Sequence, residues 1–282
     1  MNMAPKKLAP ILLADRGVLR VSGPQSETFL QDLVSSDVAS LAHGEGRYAA
    51  LLTPQGKILV DMIIIAIEED RARAFLIDCA REQAGELAKR LGFYKLRAKV
   101  TIEDRSDEIA VLACPDAPPH IDGIVVRDPR SEALGFRAYV RRQQAALPGA
   151  DVGAYEARRI GAGVPKGGID FIYGDAFPHE ANFDLLNGVD FKKGCYIGQE
   201  VVSRMQHRGT ARKRVVRVGF SAEAPPPGSE IKAGDTLVGT MGSSAGEQGL
   251  AMIRLDRTEE AKAAGIPMTA NGVTIALEHS AR

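Results

Sequence analysis

The order of elements in residues 18–113 constrains the fold most. Apolar, β-branched stretches predict strands at Val18–Gly23, Tyr48–Leu52, Lys57–Ile67, Arg73–Cys79, Leu96–Ile102 and Ile109–Ala113. A helix beginning at Pro24 and a longer one over Glu82–Leu91 are the helices expected among them. Strands that follow one another with so few helices are typical of an α+β fold and not of a doubly wound sheet.

The second half changes character twice. Two more strands are predicted at Ile124–Arg127 and Phe136–Val140, followed by a helix over Asp151–Ala162. Residues 161–190 are rich in Gly, Asp, Pro and Asn without periodicity, and so long an irregular segment in a compact protein is often functional. From Val215 onward, short alternating runs separated by Pro and Gly predict a small all-β module.

Composition excludes several classes of protein. Lys+Arg and Asp+Glu are both 36, and this neutral total argues against a dedicated nucleic-acid coat protein. The longest apolar run, Met62–Ile67, is far too short to cross a membrane, and residues 1–10 lack the apolar region of a signal peptide. The three cysteines form no CxxC pair, so we expect a cytoplasmic protein with no iron–sulfur cluster of its own.

The segment Phe191–Glu200 concentrates the special residue types. Cys195 follows two lysines and Gly194, and Gly198 and a Gln-Glu pair come after it. Nearby cations and a helix N-terminus favour a reactive thiolate, whereas a buried structural cysteine is the common alternative. The residue types alone leave both interpretations open.

Other candidate groups are an acid in a strand, a polar loop and a basic run. Asp61 interrupts an apolar strand, and it is either a rim residue on an exposed face or a pocket carboxylate. The loop Pro178–Asn182 carries Glu180 and Asn182. Residues 192–217 have a net charge of +7, which suits an anionic ligand tail, a phosphate backbone or an acidic partner, or is simply a solvated face.

Residues 193–200, KGCYIGQE, resemble the KGCYxGQE signature of the folate-binding YgfZ proteins. This family is related to the mitochondrial iron–sulfur assembly factor and shares a fold with the glycine-cleavage aminomethyltransferase. The resemblance extends over nearly the whole chain, through the segments 20–24, 52–57, 156–161, 178–182, 227–228 and 238–239.

The resemblance implies an α+β cloverleaf of two α+β units and a C-terminal β-barrel around a central tetrahydrofolate channel. Residues 1–212 would form the folate-binding region, from two interleaved units (1–46 with 119–212, and 47–118), and residues 213–282 the barrel. Cys195 would be the key cysteine, with Lys193 and Asp61 as further catalytic residues. Because the chain has too few cysteines to hold a cluster alone, we expect Cys195 to be a transient metal ligand shared with a partner. Folate contacts are expected from Asp61, Glu180, Asn182, Tyr196, Gln199 and Arg204.

One departure separates the chain from the aminomethyltransferase. That enzyme has a folate-binding acid after a Gly-Phe pair, whereas here Gly135-Phe136 is followed by Arg137. We therefore expect a tetrahydrofolate-binding protein that supports iron–sulfur cluster assembly or repair. Its partners would be client enzymes, among them radical enzymes that modify tRNA, and cluster-assembly proteins, with a weak tRNA contact through residues 204–217 and no membrane contact.

Two alternatives belong to other classes. One is a folate-dependent aminomethyl transferase, which would form methylenetetrahydrofolate from a loaded carrier protein. The other is a pure interaction module that binds tRNA or a partner through the basic residues 204–217. Its tRNA binding would depend steeply on salt.

Overall fold

A computed structural model describes residues 9–69, 72–145, 151–209 and 211–278 of the 282-residue chain. The protein is mixed α/β and divides into two compact units. The first unit contains residues 1–52, 60–155 and 187–197, and the second contains residues 53–59, 156–186 and 198–282. The predicted boundaries of two interleaved units within residues 1–212 stay a prediction.

The first unit is built from two sheets. Its described strands, β1 to β9 in chain order, are Ile11–Leu12, Arg16–Ser22, Gly46–Leu52, Ile58–Glu69, Ala72–Ala80, Thr101–Asp104, Ile109–Cys114, Ile124–Arg127 and Phe136–Arg141. One sheet has the order β3-β4-β5-β2-β6 and the other the order β1-β7-β9-β8. Helix α1 is Ser26–Gln31, α2 is Arg81–Lys95, and α3, Val152–Gly161, follows β9.

Strand β4 shows why the first sheet forms. Every residue from Val60 to Ile67 is buried, on both faces of the strand. All of them are apolar except Asp61. It pairs antiparallel with β5, with Met62 opposite Cys79. A near-continuous apolar strand of this kind is stable only in the middle of a sheet covered on both sides.

Two sequence predictions in this unit are wrong. The strand expected over Leu96–Ile102 begins only at Thr101, because α2 continues to Lys95 and Leu96 follows with a φ of 43° and a side chain 89% exposed. The alternating pattern therefore lies mostly in a connecting turn. The first helix begins at Ser26 and not at Pro24, with Gln25 in the capping position.

The second unit contains a closed barrel. After α4, Gln199–Arg208, its described strands β10 to β15 are Lys213–Gly219, Glu230–Ala233, Thr236–Ala245, Gln248–Arg254, Met268–Ala270 and Val273–Leu277, and helix α5 is Leu255–Ala263. The barrel order is β10-β13-β12-β11-β14-β15. The predicted all-β module is thus confirmed. Between α3 and α4 the chain forms turns and one isolated bridge, Gly167 with Phe171, as the composition predicts.

Among the described residues, no helix has both the length and the apolar content that a membrane crossing needs.

Candidate functional site

Cys195 is the exposed cysteine of the chain. It lies in the loop 190–196 of the first unit, while Cys79 on β5 and Cys114 on β7 are buried. Burial raises the pKa of the Cys79 thiol to about 12 and that of Cys114 to about 11. Since the thiolate is the reactive form, these two thiols are poor nucleophiles and ligands near neutral pH. Cys195 is therefore the one accessible thiol among the described residues.

The side chain of Lys193 fastens this loop to the end of α1. Its Nζ donates to the carbonyl oxygens of Gln31 and Val34, both at 2.7 Å, and of Ser36 at 3.0 Å. Three N–H groups thus meet three acceptors, which is the full capacity of an ammonium group. Burial lowers the pKa of Lys193 to about 8, so the group is still mostly charged at neutral pH.

Backbone and aromatic contacts hold the rest of the loop. The Asp190 carboxylate accepts hydrogen bonds from the backbone N–H groups of Lys192 at 2.7 Å and Lys193 at 3.1 Å. The Asp190 N–H donates to the carbonyl of Ser35 at 3.0 Å. Tyr196 is 7% exposed, with the Lys193 Nζ 5.3 Å from its ring centroid, and burial raises its pKa to about 12. These contacts fix the conformation of the loop, which exposes the Cys195 thiol to solvent.

The surroundings of Cys195 leave room for an approaching molecule. A Cβ added at Gly194 would meet no heavy atom within 4 Å, and Phe191 is 40% exposed. Packing within the described residues therefore does not explain the glycine beside the thiol. Free space at Gly194 would let the backbone of another molecule come close to the sulfur.

Gly198, the second glycine of the signature, packs in the second unit against the turn that precedes β4. Gly198 has a φ of +82°, and a Cβ there would lie 2.6 Å from the carbonyl oxygen of Thr53. Across the contact, Gly56 has a φ of +80°, and its Cβ would lie 2.9 Å from the Val201 Cβ. Two motifs that looked separate in the sequence thus contact each other. The signal was present in the two glycines, but only the structure pairs them.

Asp61 is buried in the first unit, which excludes the exposed-face alternative. It is 4% exposed, and the Tyr48 hydroxyl donates to its Oδ2 at 3.2 Å. The Arg130 guanidinium lies 5.9 Å from the Tyr48 ring centroid.

The sequence did not reveal a buried network of ion pairs that includes Asp78 on β5, the neighbour of β4. Arg137 donates to Asp78 at 2.6 Å and to Asp128 at 2.9 Å, Arg130 donates to Asp128 at 2.7 Å, and Arg16 donates to Asp78 at 2.6 Å. Burial would raise the pKa of both carboxyl groups, but the arginines more than offset it and hold each pKa below its ordinary value. Arg137, which departs from the aminomethyltransferase pattern, is therefore the centre of a structural network.

Glu180 and Asn182 support the second unit. The Glu180 carboxylate accepts from the Phe177 N–H at 3.0 Å, and burial raises its pKa. The Asn182 amide donates to the carbonyl of Val215 on β10 at 2.9 Å, and its oxygen accepts from Arg214 at 3.1 Å. These bonds, with one from the Val215 N–H to the Glu180 carbonyl, cover an edge of β10. Both side chains thus have structural partners.

Some cations of the basic run 204–217 form ion pairs or hydrogen bonds, and others are exposed to solvent. Arg204 pairs with Glu200 at 2.6 Å on the surface of α4, where Gln199 is the first residue. Arg214 binds Asp184 through two bonds of 2.9 Å, and Arg217 donates to the Gly161 carbonyl at 2.8 Å. Arg208, Arg212 and Lys213 are exposed. A solvated basic face therefore describes only part of the run.

The predicted site residues thus fall into two groups. Lys193, Cys195 and Tyr196 share one loop, and Asp61 lies in the same unit. Glu180, Asn182, Gln199 and Arg204 belong to the second unit. Among the residues that the structure describes, no group of three or more His, Cys, Asp or Glu side chains is arranged to hold a metal ion.

Comparison with known proteins first defines the class of fold. A model of the GCVT N-terminal domain matches residues 14–151, and a model of the CAF17 C-terminal β-barrel domain matches residues 212–281. Glycine cleavage system aminomethyltransferase T from Bartonella henselae superposes with a TM-score of 0.74 at 16% identity, over 96% of this chain and 85% of that one. The predicted fold class, an aminomethyltransferase-like α+β protein with a terminal β-barrel, is confirmed.

Sequence relatives then define the family. The iron–sulfur cluster assembly factor IBA57, mitochondrial, is 35% identical in Homo sapiens (83% of this chain, 72% of the relative) and in Mus musculus (86% and 76%). Its homologue in Mycosarcoma maydis is 36% identical over 76% of this chain, and the chain spans 58% of that protein. The chain belongs to the IBA57 family of iron–sulfur cluster assembly factors. The predicted kinship with the mitochondrial factor is confirmed, while the YgfZ-type assignment of the cysteine signature stays a prediction.

Proposed function

We propose that this protein takes part in iron–sulfur cluster assembly or repair and that Cys195 is the residue that contacts the cluster or its carrier. The observation that carries the proposal is the contrast among the three thiols. Cys195 is exposed on a loop fixed by Lys193, whereas Cys79 and Cys114 are buried with raised pKa values. Membership of a family named for this process supports the same function.

A cluster would be shared with a second protein. Iron–sulfur clusters normally take four cysteine ligands, and this chain has three cysteines in all, two of them buried. Cys195 would therefore supply one ligand, and the partner would supply the others. The open space beside Gly194 gives such a partner access to the sulfur.

We infer that the clients include radical enzymes that methylthiolate tRNA and that cluster-assembly proteins are the donors, in the cytoplasm. The exposed cations Arg208, Arg212 and Lys213 offer a weak contact for tRNA phosphates. Binding of tRNA that falls steeply between 50 and 200 mM salt, and more weakly in an Arg208→Gln, Arg212→Gln variant, tests this contact.

Tetrahydrofolate is the cofactor that we propose. The residues present fit this ligand, because Asp61 is a buried carboxylate that can accept hydrogen bonds from the N–H groups of a pterin. When bound, the folate would supply a one-carbon carrier. The chain's part would be to orient the pterin through Asp61, with Tyr196 of the same unit as a further contact. The folate contacts expected from Glu180, Asn182, Gln199 and Arg204 stay a prediction. The buried, ion-paired Arg137 does not favour the aminomethyl transferase alternative.

The cluster proposal is tested by anaerobic native mass spectrometry. The purified chain is mixed with a cluster-loaded carrier protein, and the masses of complexes are recorded. We expect a complex of both proteins with one cluster, absent for Cys195→Ser and retained for Cys114→Ser. Retention of the bridged cluster in Cys195→Ser would overturn the role of this thiol.

The folate proposal is tested separately by calorimetry with tetrahydrofolate. We expect binding that weakens about tenfold or more in Asp61→Asn, because a hydrogen bond to a charged group contributes about 1.5–3 kcal/mol. Asp122→Asn, at an exposed surface pair, is the matched control. No heat with the folded wild-type chain would refute folate binding without affecting the role of Cys195.

A further inference from the structure

A cavity of about 490 Å³ opens in the barrel, and none of the residues assigned above to the cysteine or folate sites lines it. Strands β10, β14 and β15 and helix α5 form its walls. Its apolar lining includes Val216, Ala261, Ile266, Met268, Ile275 and Leu277. Pockets for small molecules typically measure about 300–1,000 Å³ and are mainly apolar, so the cavity has the size and the lining of a ligand site.

The pairing of the barrel strands explains the opening. Strand β10 pairs with β15 only at Val218 and Gly219, so most of its length carries no partner from β15. Helix α5 contributes Thr258, Ala261 and Lys262 to the cavity wall, with Thr258 and Ala261 buried and Lys262 exposed. The barrel is thus closed by a short seam, and the space beside the seam is not filled by its own side chains.

Apolar surface remains uncovered at this place. Val216, Met268 and Leu277 are only partly buried although they pack against the barrel core, and Ile266 is 43% exposed. Leaving these groups in water costs free energy that an apolar ligand would recover.

The two charged groups of the lining differ in their partners. Glu278 accepts a hydrogen bond from Gln248 at 3.1 Å and lies 3.8 Å from Arg217, so its charge is already compensated. Lys262 has no side-chain hydrogen bond or ion pair with any residue in the described part of the chain. The buried Thr258 hydroxyl donates to the Arg254 carbonyl at 2.7 Å and is satisfied as well. The charge that the pocket leaves uncompensated is therefore positive.

We propose that this pocket binds a small amphipathic anion, with an apolar body against the barrel seam and an anionic head at Lys262. Apolar enclosure gives the binding energy, and the single uncompensated cation selects the sign of the head group. The site is separate from the proposed function, because none of its lining residues belongs to the cysteine loop or to the predicted folate contacts.

Titration calorimetry of the full chain with decanoate tests the proposal, with decylammonium as the matched ligand of opposite charge. We expect decanoate to bind at least tenfold more tightly than decylammonium. Lys262→Gln should weaken decanoate about threefold to fivefold, whereas Lys232→Gln, an exposed barrel lysine paired with Glu230, should not. Filling the cavity with Ala261→Phe should abolish binding.

Because Ala261 is buried, a second variant is needed to separate loss of binding from loss of folding. Ile266→Trp narrows the pocket from its exposed rim and should also weaken decanoate while the thermal unfolding curve stays unchanged. Equal affinity for both ligands, no effect of Lys262→Gln, or unchanged binding in a folded Ile266→Trp variant would overturn the proposal. Displacement of decanoate by tetrahydrofolate would overturn it too, because the cavity would then be part of a folate site.

Discussion

At the scale of single residues, exposure separates three chemically identical thiols. Cys195 is open to solvent, whereas Cys79 and Cys114 are buried within sheets. The sequence left the reactive and the structural interpretation of Cys195 open, since no count of neighbouring residue types gives the exposure of a side chain. The structure excludes the buried structural alternative, because Cys195 is exposed.

Thiol labelling tests this contrast. With iodoacetamide at pH 7.5, we expect one modified cysteine in the native protein, identified as Cys195 by peptide mass spectrometry, and three after denaturation in urea. Cys195→Ser should abolish native labelling. Rapid native modification of Cys79 or Cys114 would contradict the burial of these two thiols.

Lys193 and Lys192 are adjacent but have different environments. Lys193→Met removes three hydrogen bonds to backbone carbonyls, so we expect a loss of about 1–3 kcal/mol in the free energy of unfolding. Amide hydrogen exchange in residues 190–196 should also accelerate. The exposed Lys192→Met is the control, within about 0.5 kcal/mol of wild type. Equal effects of the two substitutions would contradict the role of Lys193 as the anchor of the loop.

At the scale of elements, the two glycines of the cysteine signature serve different purposes. Gly198 needs a positive φ and close contact with the Thr53–Gly56 turn, whereas Gly194 faces open space. The signature therefore combines a packing requirement with a segment left accessible.

Alanine substitutions separate these purposes. Gly198→Ala should lower the free energy of unfolding by about 1–3 kcal/mol, because a Cβ would collide with a carbonyl oxygen at a positive φ. Gly194→Ala should leave stability unchanged in the same urea titration and weaken only the association with a cluster carrier. A stable Gly198→Ala variant would show that the contact with the turn is not required.

Elements with strong periodicity were predicted best. The long apolar β4, the helix α2 and the all-β C-terminal module follow from the spacing of apolar residues, whereas the closed barrel was implied by the family resemblance. The strand expected at Leu96–Ile102 failed because alternation also occurs in a turn, and local pattern alone cannot show that the chain leaves the helix at Leu96. The structural role of Arg137 could not be predicted from the sequence either, because its ion-pair partners Asp78 and Asp128 are distant in the chain.

At the scale of the whole molecule, the first unit depends on a buried ion network of Arg16, Asp78, Asp128, Arg130 and Arg137. Removing one member leaves a buried charge without its partner, which costs about 3–5 kcal/mol. The network therefore makes the stability of this unit sensitive to the protonation of two carboxyl groups.

The pH dependence follows from the lowered pKa values of Asp78 and Asp128. Their contribution to stability is fully present above the unfolded-state pKa of about 4 and is lost as the pH falls towards the lower folded-state values. We expect Asp128→Asn to be about 3–5 kcal/mol less stable than wild type at pH 7, with the gap narrowing below pH 4 in urea titrations. The surface variant Asp122→Asn should show no gap at any pH. A gap for Asp128→Asn that stays constant down to pH 3 would contradict the assignment.

The role of Cys195 in iron–sulfur assembly is tested most directly by complementation. A strain that lacks its own copy of the gene is supplied with wild type, Cys195→Ala or the matched neighbour variant Lys192→Ala, and methylthiolation of tRNA is measured at equal protein levels. We expect wild type and Lys192→Ala to restore the modification and Cys195→Ala not to restore it. Full restoration by Cys195→Ala would contradict it.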